Sequence, residues 1–81
     1  MSGRLGGRED VVNVYLELAP EEIAYVKFIV ESYEGIAVVR TVDRARAVIV
    51  LMIAADMLEV ARRVLDAIRG EVAWTEVAPQ E

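Results

Sequence analysis

Apolar and polar positions follow two different periods along this chain, and one unbroken apolar run stands between them. From Val11 to Leu18, the residues Val12, Val14, Leu16 and Leu18 alternate with Val11, Asn13, Tyr15 and Glu17. A period of two predicts a strand with one apolar and one mixed face. Ile36–Val42 reads as a second strand. Within Ala45–Ala54, the residues from Ala47 onward are all apolar and rich in β-branched side chains. That predicts a strand in the middle of a sheet, apolar on both faces. Glu71–Val77 alternates weakly and reads as a last strand carrying Trp74.

Two stretches have the helical period instead. Pro20 suits a first helical position, and Glu21 and Glu22 complement the positive end of the helix dipole. This helix is expected to run to Tyr33 or Glu34, with Gly35 as its terminator. Ile23, Val26, Ile29, Val30 and Tyr33 fall on one face, and Lys27, Glu31 and Glu34 on the other. Phe28 lies outside the apolar arc and Tyr25 at its margin. They read either as rim packing under a loop or as a second contact surface. In the second helix, Asp56 and Glu59 have capping-box spacing. Met57, Val60, Ala61, Val64, Leu65 and Ile68 line its inner side. Glu59–Arg63 and Arg62–Asp66 are spaced to pair on the outer side, and Gly70 ends the helix.

The order is βαββαβ, which predicts an α+β, ferredoxin-like fold: a four-stranded antiparallel sheet with two helices on one face. The first and third strands are expected at its centre, running parallel to one another. The tail 1–10, a single domain 11–78 and a C-terminal tail 79–81 complete the expected organisation. The turn Asp43–Arg46 sets which residues of the second strand face the helices. An even loop groups Val38 and Arg40 with Ile49 and Leu51, and Val39 and Thr41 with Val48 and Val50. A three-residue loop reverses the assignment, and the even one is favoured here.

Composition narrows the functions available. The chain has 81 residues, of which 56% are hydrophobic. Soluble domains average roughly 45–50% even with glycine counted, and a domain this small buries only about 60–70% of its unfolded surface. The surplus points to an interface. The net charge of −5 argues against a nucleic-acid partner. The longest apolar run, Ala47 to Ala55, falls short of the ~20 residues that span a bilayer, and residues 1–10 lack the apolar core of a signal peptide. A cytoplasmic protein without a membrane partner is expected.

Cysteine and histidine are both absent. This removes disulfides, thiolate chemistry, the usual zinc sites and a histidine general base. The hydroxyls are few, Ser2, Ser32, Thr41 and Thr75, and none has an obvious catalytic base beside it. The phosphate-binding glycine motifs are missing. Enzymatic work would fall to carboxylates such as Glu17, Glu21, Glu22 or Asp43, whose spacing singles out no pair. The expectation is no enzyme, no cofactor and no metal.

Several families share this order of elements. Acylphosphatases place an anion-cradling loop after the first strand, where this chain has Ala19-Pro20-Glu21-Glu22. RNA-recognition domains stack bases on third-strand aromatics, and Arg46–Ile53 has none. ACT-type regulatory domains carry an Asp-x-x-Gly turn where Leu18-Ala19-Pro20-Glu21 stands. The runs Val14–Glu17, Pro20–Ile23, Tyr25–Phe28, Glu34-Gly35 and Arg40–Asp43 resemble those of small uncharacterised bacterial proteins, over residues 11–77. That resemblance implies a domain of unknown function.

With Ile49, Leu51 and Ile53 turned to the helices, Val48, Val50 and Met52 face outward beside Tyr15, with Val39 as a neighbour. A patch of roughly 300–600 Å² is expected there. These five residues are the candidate interface, and Tyr25 and Phe28 a secondary surface. The sequence therefore points to a self-associating binding or regulatory module, with a dimer favoured. The alternative is an ACT-like sensor of amino acids or nucleotides, with its site at a subunit boundary.

Overall fold

The structure is a computed structural model that describes residues 11–33 and 35–79. The expected tail at 1–10 and the last two residues of the chain lie outside the described residues. The elements are β1 (Val11–Leu18), α1 (Ile23–Glu31), β2 (Ala37–Asp43), β3 (Val48–Ala54), α2 (Leu58–Ile68) and β4 (Trp74–Val77). The expected βαββαβ order is present, and the fold is ferredoxin-like.

The sheet has the order β2-β3-β1-β4, and every neighbouring pair is antiparallel. This corrects the expectation that the two central strands run parallel. The crossover through α1 makes β2 run in the direction of β1. The β2–β3 hairpin then reverses the chain, so β3 meets β1 head to tail. Their ladder runs from Val11 opposite Ala54 to Glu17 opposite Val48. One more bond extends it, with the Leu18 N–H donating to the Ala47 carbonyl at 3.2 Å.

The core follows from strand parity. Val14, Leu16 and Leu18 of β1, Val39 of β2, and Ile49, Leu51 and Ile53 of β3 all point to the helices. Val26 and Val30 of α1 and Ala61, Leu65 and Ile68 of α2 close over them. Trp74 completes this layer. Its indole N–H donates to the Leu65 carbonyl at 3.1 Å, and the Arg69 guanidinium stacks 3.9 Å from the ring centre. A buried indole N–H needs such a partner, and a stacked guanidinium adds attraction through the ring quadrupole.

Both helices open on a 3₁₀ turn, Pro20–Glu22 and Ala55–Met57. Asp56 lies inside the second turn, and the residue before α2 is Met57, which makes no side-chain cap. The expected capping box is therefore not formed. Of the two expected pairs on α2, Arg63–Glu59 is present at 3.4 Å, whereas Arg62 reaches Glu76 of β4 at 3.0 Å instead of Asp66. α1 ends at Glu31, earlier than expected. The Ser32 hydroxyl donates at 2.6 Å to the Ile29 carbonyl, which also accepts from the Ser32 N–H at 3.2 Å as the last turn tightens.

The β2–β3 connection departs furthest from expectation. Four residues, Arg44–Ala47, separate the strands, so the loop is even. However, Thr41 lies opposite Ile49 while Asp43 lies opposite Val48, which marks a bulge at Val42. One extra residue reverses the parity of everything before it. Val39 consequently faces the helices, and Val38 and Arg40 turn to the open side. The Asp43 carboxylate accepts from the Arg46 N–H at 3.1 Å, and Ala47 takes a left-handed φ of 58° to re-enter the sheet.

Gly35 has φ of 81°, and a Cβ built there meets nothing within 4 Å. The cost of substitution is thus purely conformational. Gly35→Ala should lower stability by about 1 kcal/mol, while Gly35→Asn should cost less because asparagine enters the left-handed region more readily. Urea denaturation followed by Trp74 fluorescence measures both.

Candidate functional surfaces

Two surfaces remain after the core is assigned, one on each side of the sandwich. The first is the face of the sheet away from the helices. Cross-strand pairing builds it in rows. Arg40, Val50, Tyr15 and Val77 form one row across all four strands, and Val38, Met52 and Asn13 form the next. Val11 and Ala54 follow, while Asp43, Val48, Glu17 and Thr75 lie at the other end. Alternation from Arg40 places Val42 on this side as well.

Four of the five residues expected at the interface are brought together here: Tyr15, Val48, Val50 and Met52. Val39 is not among them, because the bulge turns it into the core, where it is buried. Its N–H points away from β3, and the Glu31 carboxylate of α1 accepts it at 3.2 Å. That contact occupies a donor on an edge strand that would otherwise be open.

The exposed apolar surface is not where it was expected. Val48 is 0% exposed and Val50 5%, while Val38 is 53% exposed. Val11 and Val42 are exposed too. Val11, Ala37, Val38, Met52 and Ala54 surround a shallow, mainly apolar hollow of about 300 Å³ beside Gly35. Sequence reasoning missed Val38 and Val42, because both positions depend on the bulge.

Charge on this face is balanced locally. Arg46 lies 4.0 Å from Glu17. Arg40 makes no ion pair with a described residue.

The second surface lies on the helical layer. α1 and α2 diverge to leave a hollow of about 200 Å³, with Tyr25 and Tyr33 from the first helical segment and Glu71 from the turn before β4 around it. Ile29, Val64 and Ala67 line its apolar side. The Tyr25 hydroxyl donates a hydrogen bond to the Glu71 carboxylate. Tyr33, expected in the core stripe, is 47% exposed, because α1 ends two residues before it. Phe28 is 69% exposed, so it does not pack under a loop. Tyr25 and Phe28 thus belong to a real outer surface, although only Tyr25 reaches the hollow. The pairing of Tyr25 with Glu71 joins residues 46 apart and left no local pattern to read.

The helices of the described residues include none long and apolar enough to cross a membrane. Among those residues, no three carboxylates gather as a metal-binding group.

Residues 16–72, more than two thirds of the chain, match a family described as a domain of unknown function, DUF4911. The chain belongs to that family. Both surfaces fall largely within the matched stretch, with Val11, Asn13, Tyr15, Thr75 and Val77 outside it. The match supplies no activity. No curated protein and no solved structure matches the chain.

Hydrogen bonding to Glu71 raises the pKa of the Tyr25 phenol, with desolvation and then the negative charges of Glu71 and Glu22 acting in the same direction. The neutral phenol is the bonded form, so the contact is intact below the ordinary tyrosine value near 10 and is lost as pH rises through the higher folded-state value. Phenolate absorbance, taken as wild type minus Tyr25→Phe, should therefore titrate above 10. In Glu71→Gln the same difference should move back toward 10.

Proposed function

We propose that this member of the DUF4911 family is a non-enzymatic interaction module that self-associates as a dimer through the open face of its sheet. The observation that carries this reading is the set of exposed valines, Val11, Val38 and Val42, on the same face as the buried column Val48 and Val50. Both helices lie on the other side of the sheet, and no described element covers this one.

A second copy suits the face for a physical reason. Twofold contacts are self-complementary, and they are the commonest way in which soluble proteins hide such a patch. An axis running along β3 would set Arg40 of one copy above Tyr15 of the other, since the two residues flank Val50 in one row. A guanidinium over a phenol ring is attractive, by about 0.5–1 kcal/mol at an exposed site. Val38 and Met52 would be drawn into the contact on both sides.

The buried column changes what the contact is asked to do. Val48 and Val50 already lie out of water within one chain, so association gains its free energy from Val11, Val38, Val42 and the flank of Met52. Complete burial of a valine contributes roughly 1.5–3 kcal/mol. The half-exposed valines, doubled by symmetry, contribute part of the contact, and Met52 and the Arg40–Tyr15 pairs add to them against the cost of association.

The chain should sediment at about 18 kDa, twice its mass of 9.0 kDa, at concentrations of tens of micromolar. Val38→Asp should give the 9.0 kDa species with little change in thermal stability, because Val38 is exposed in the single chain. Phe28→Ser, on the helical side, should leave the association unchanged. A wild-type chain that stays monomeric at such concentrations rules the reading out.

A further inference from the structure

Between the helices, two tyrosines and one carboxylate surround a hollow with an apolar floor, and no described cation answers the carboxylate. We propose that this hollow is a binding site for a small alkylated ammonium ion, held by the faces of Tyr25 and Tyr33 and the charge of Glu71. The site is on the opposite side of the sandwich from the sheet contact and does not depend on it.

Shape and polarity select this class of ligand. The hollow is about 200 Å³ and open on one side, large enough for a quaternary ammonium head and too small for a nucleotide. Ile29, Val64 and Ala67 offer methyl groups to the ligand's own methyl groups. Aromatic faces carry negative charge density, so a cation with an apolar shell is attracted to them, and such cages recognise quaternary ammonium groups. Tyr25 and Tyr33 are both partly exposed, which leaves ring surface free to make that contact.

The electrostatics point the same way. Glu71 accepts a hydrogen bond from the neutral Tyr25 hydroxyl and makes no ion pair with a described residue. Every cation of the helical layer is engaged elsewhere. Lys27 pairs with Glu31, Arg62 with Glu76 and Arg63 with Glu59, and Arg69 stacks on Trp74. Residues 20–33 and 55–76 together carry eight acidic and four basic side chains, a surplus of four negative charges. The same counting makes a carboxylate or phosphate ligand unfavourable here. The Tyr25–Glu71 hydrogen bond also holds one wall of the hollow in place before a ligand arrives, which limits the ordering cost of binding.

Titration of the ¹⁵N-labelled chain with choline, followed by amide shifts, tests the proposal. The neutral isostere 3,3-dimethylbutan-1-ol serves as control, and a trimethyl-lysine peptide as a second source of the same head group. Choline should shift the amides around Tyr25, Tyr33 and Glu71 with a millimolar or tighter constant, and the alcohol should bind about tenfold more weakly or not at all. Tighter binding of the peptide than of choline would identify a methylated side chain as the source of the ammonium, and the reverse a free small molecule. Tyr33→Ala and Glu71→Gln should each weaken choline binding by about five- to tenfold with the fold intact by circular dichroism, as both residues are exposed. Equal shifts from choline and the alcohol would reduce the hollow to a non-selective apolar dimple and overturn the proposal. So would the absence of any shift up to about 100 mM, which lies beyond a millimolar constant.

Discussion

The structure depends on one constraint, that β3 is hydrogen-bonded on both edges and must therefore satisfy two registers at once. Its pairing with β1 runs unbroken over seven residue pairs, whereas its pairing with β2 contains the bulge. A strand with a partner on each side cannot slide, because a shift by one residue would carry Ile49, Leu51 and Ile53 out of the core. The irregularity is thus absorbed by the edge strand. The make-up of the open face follows from that choice. The bulge sends Val39 inward to complete the core and leaves Val38, Arg40 and Val42 on the outer surface.

The elements that rest on a regular period were legible in the sequence. β1 has the bounds that its alternation predicts, and the core residues of β3 are those of one parity. The failures share a cause, which is dependence on contacts that no local pattern records. The bulge leads into a turn in which the Asp43 carboxylate accepts from the Arg46 N–H and Ala47 takes a left-handed conformation, for which alanine carries no signal. Arg62 chooses Glu76 over Asp66 because β4 lies beside α2, a fact about tertiary structure. The open face holds four of the five expected residues, but Val48 and Val50 are buried there and the bulge exposes Val38 in place of Val39. The inter-helical hollow was only half visible. By periodicity Tyr25 stands at the margin of the apolar arc, Tyr33 falls on its core stripe, and Glu71 reads as the start of a strand.

Weak capping and strong packing go together in this fold. Neither helix has a side-chain cap at its start, and each is entered through a 3₁₀ turn that supplies backbone bonds instead. Short helices without caps are marginal on their own and depend on burial of an apolar face. α2 meets that need with Ala61, Leu65 and Ile68, and is further tied to β4 through Trp74 and Glu76. α1 buries fewer residues, Val26 and Val30, and its contacts with the rest of the chain include two made by carboxylates: Glu31 on the edge of β2, and Glu71 on Tyr25. The second of these contacts, Glu71 on Tyr25, also builds a wall of the hollow.

The distribution of charge separates the two surfaces by what each can accept. Strand and hairpin residues 11–18 and 37–54 carry three basic and two acidic side chains, so the sheet side is close to neutral. Two such faces can approach without the repulsion that a net charge of −5 per chain would otherwise impose on like copies. Among the described residues the acidic surplus lies on the helical side, which would resist contact with another copy of itself. It attracts cations for the same reason. A dimer formed through the sheets would therefore turn both helical layers outward, leaving two hollows, each beside its own Glu71, open to solvent on opposite ends of the assembly.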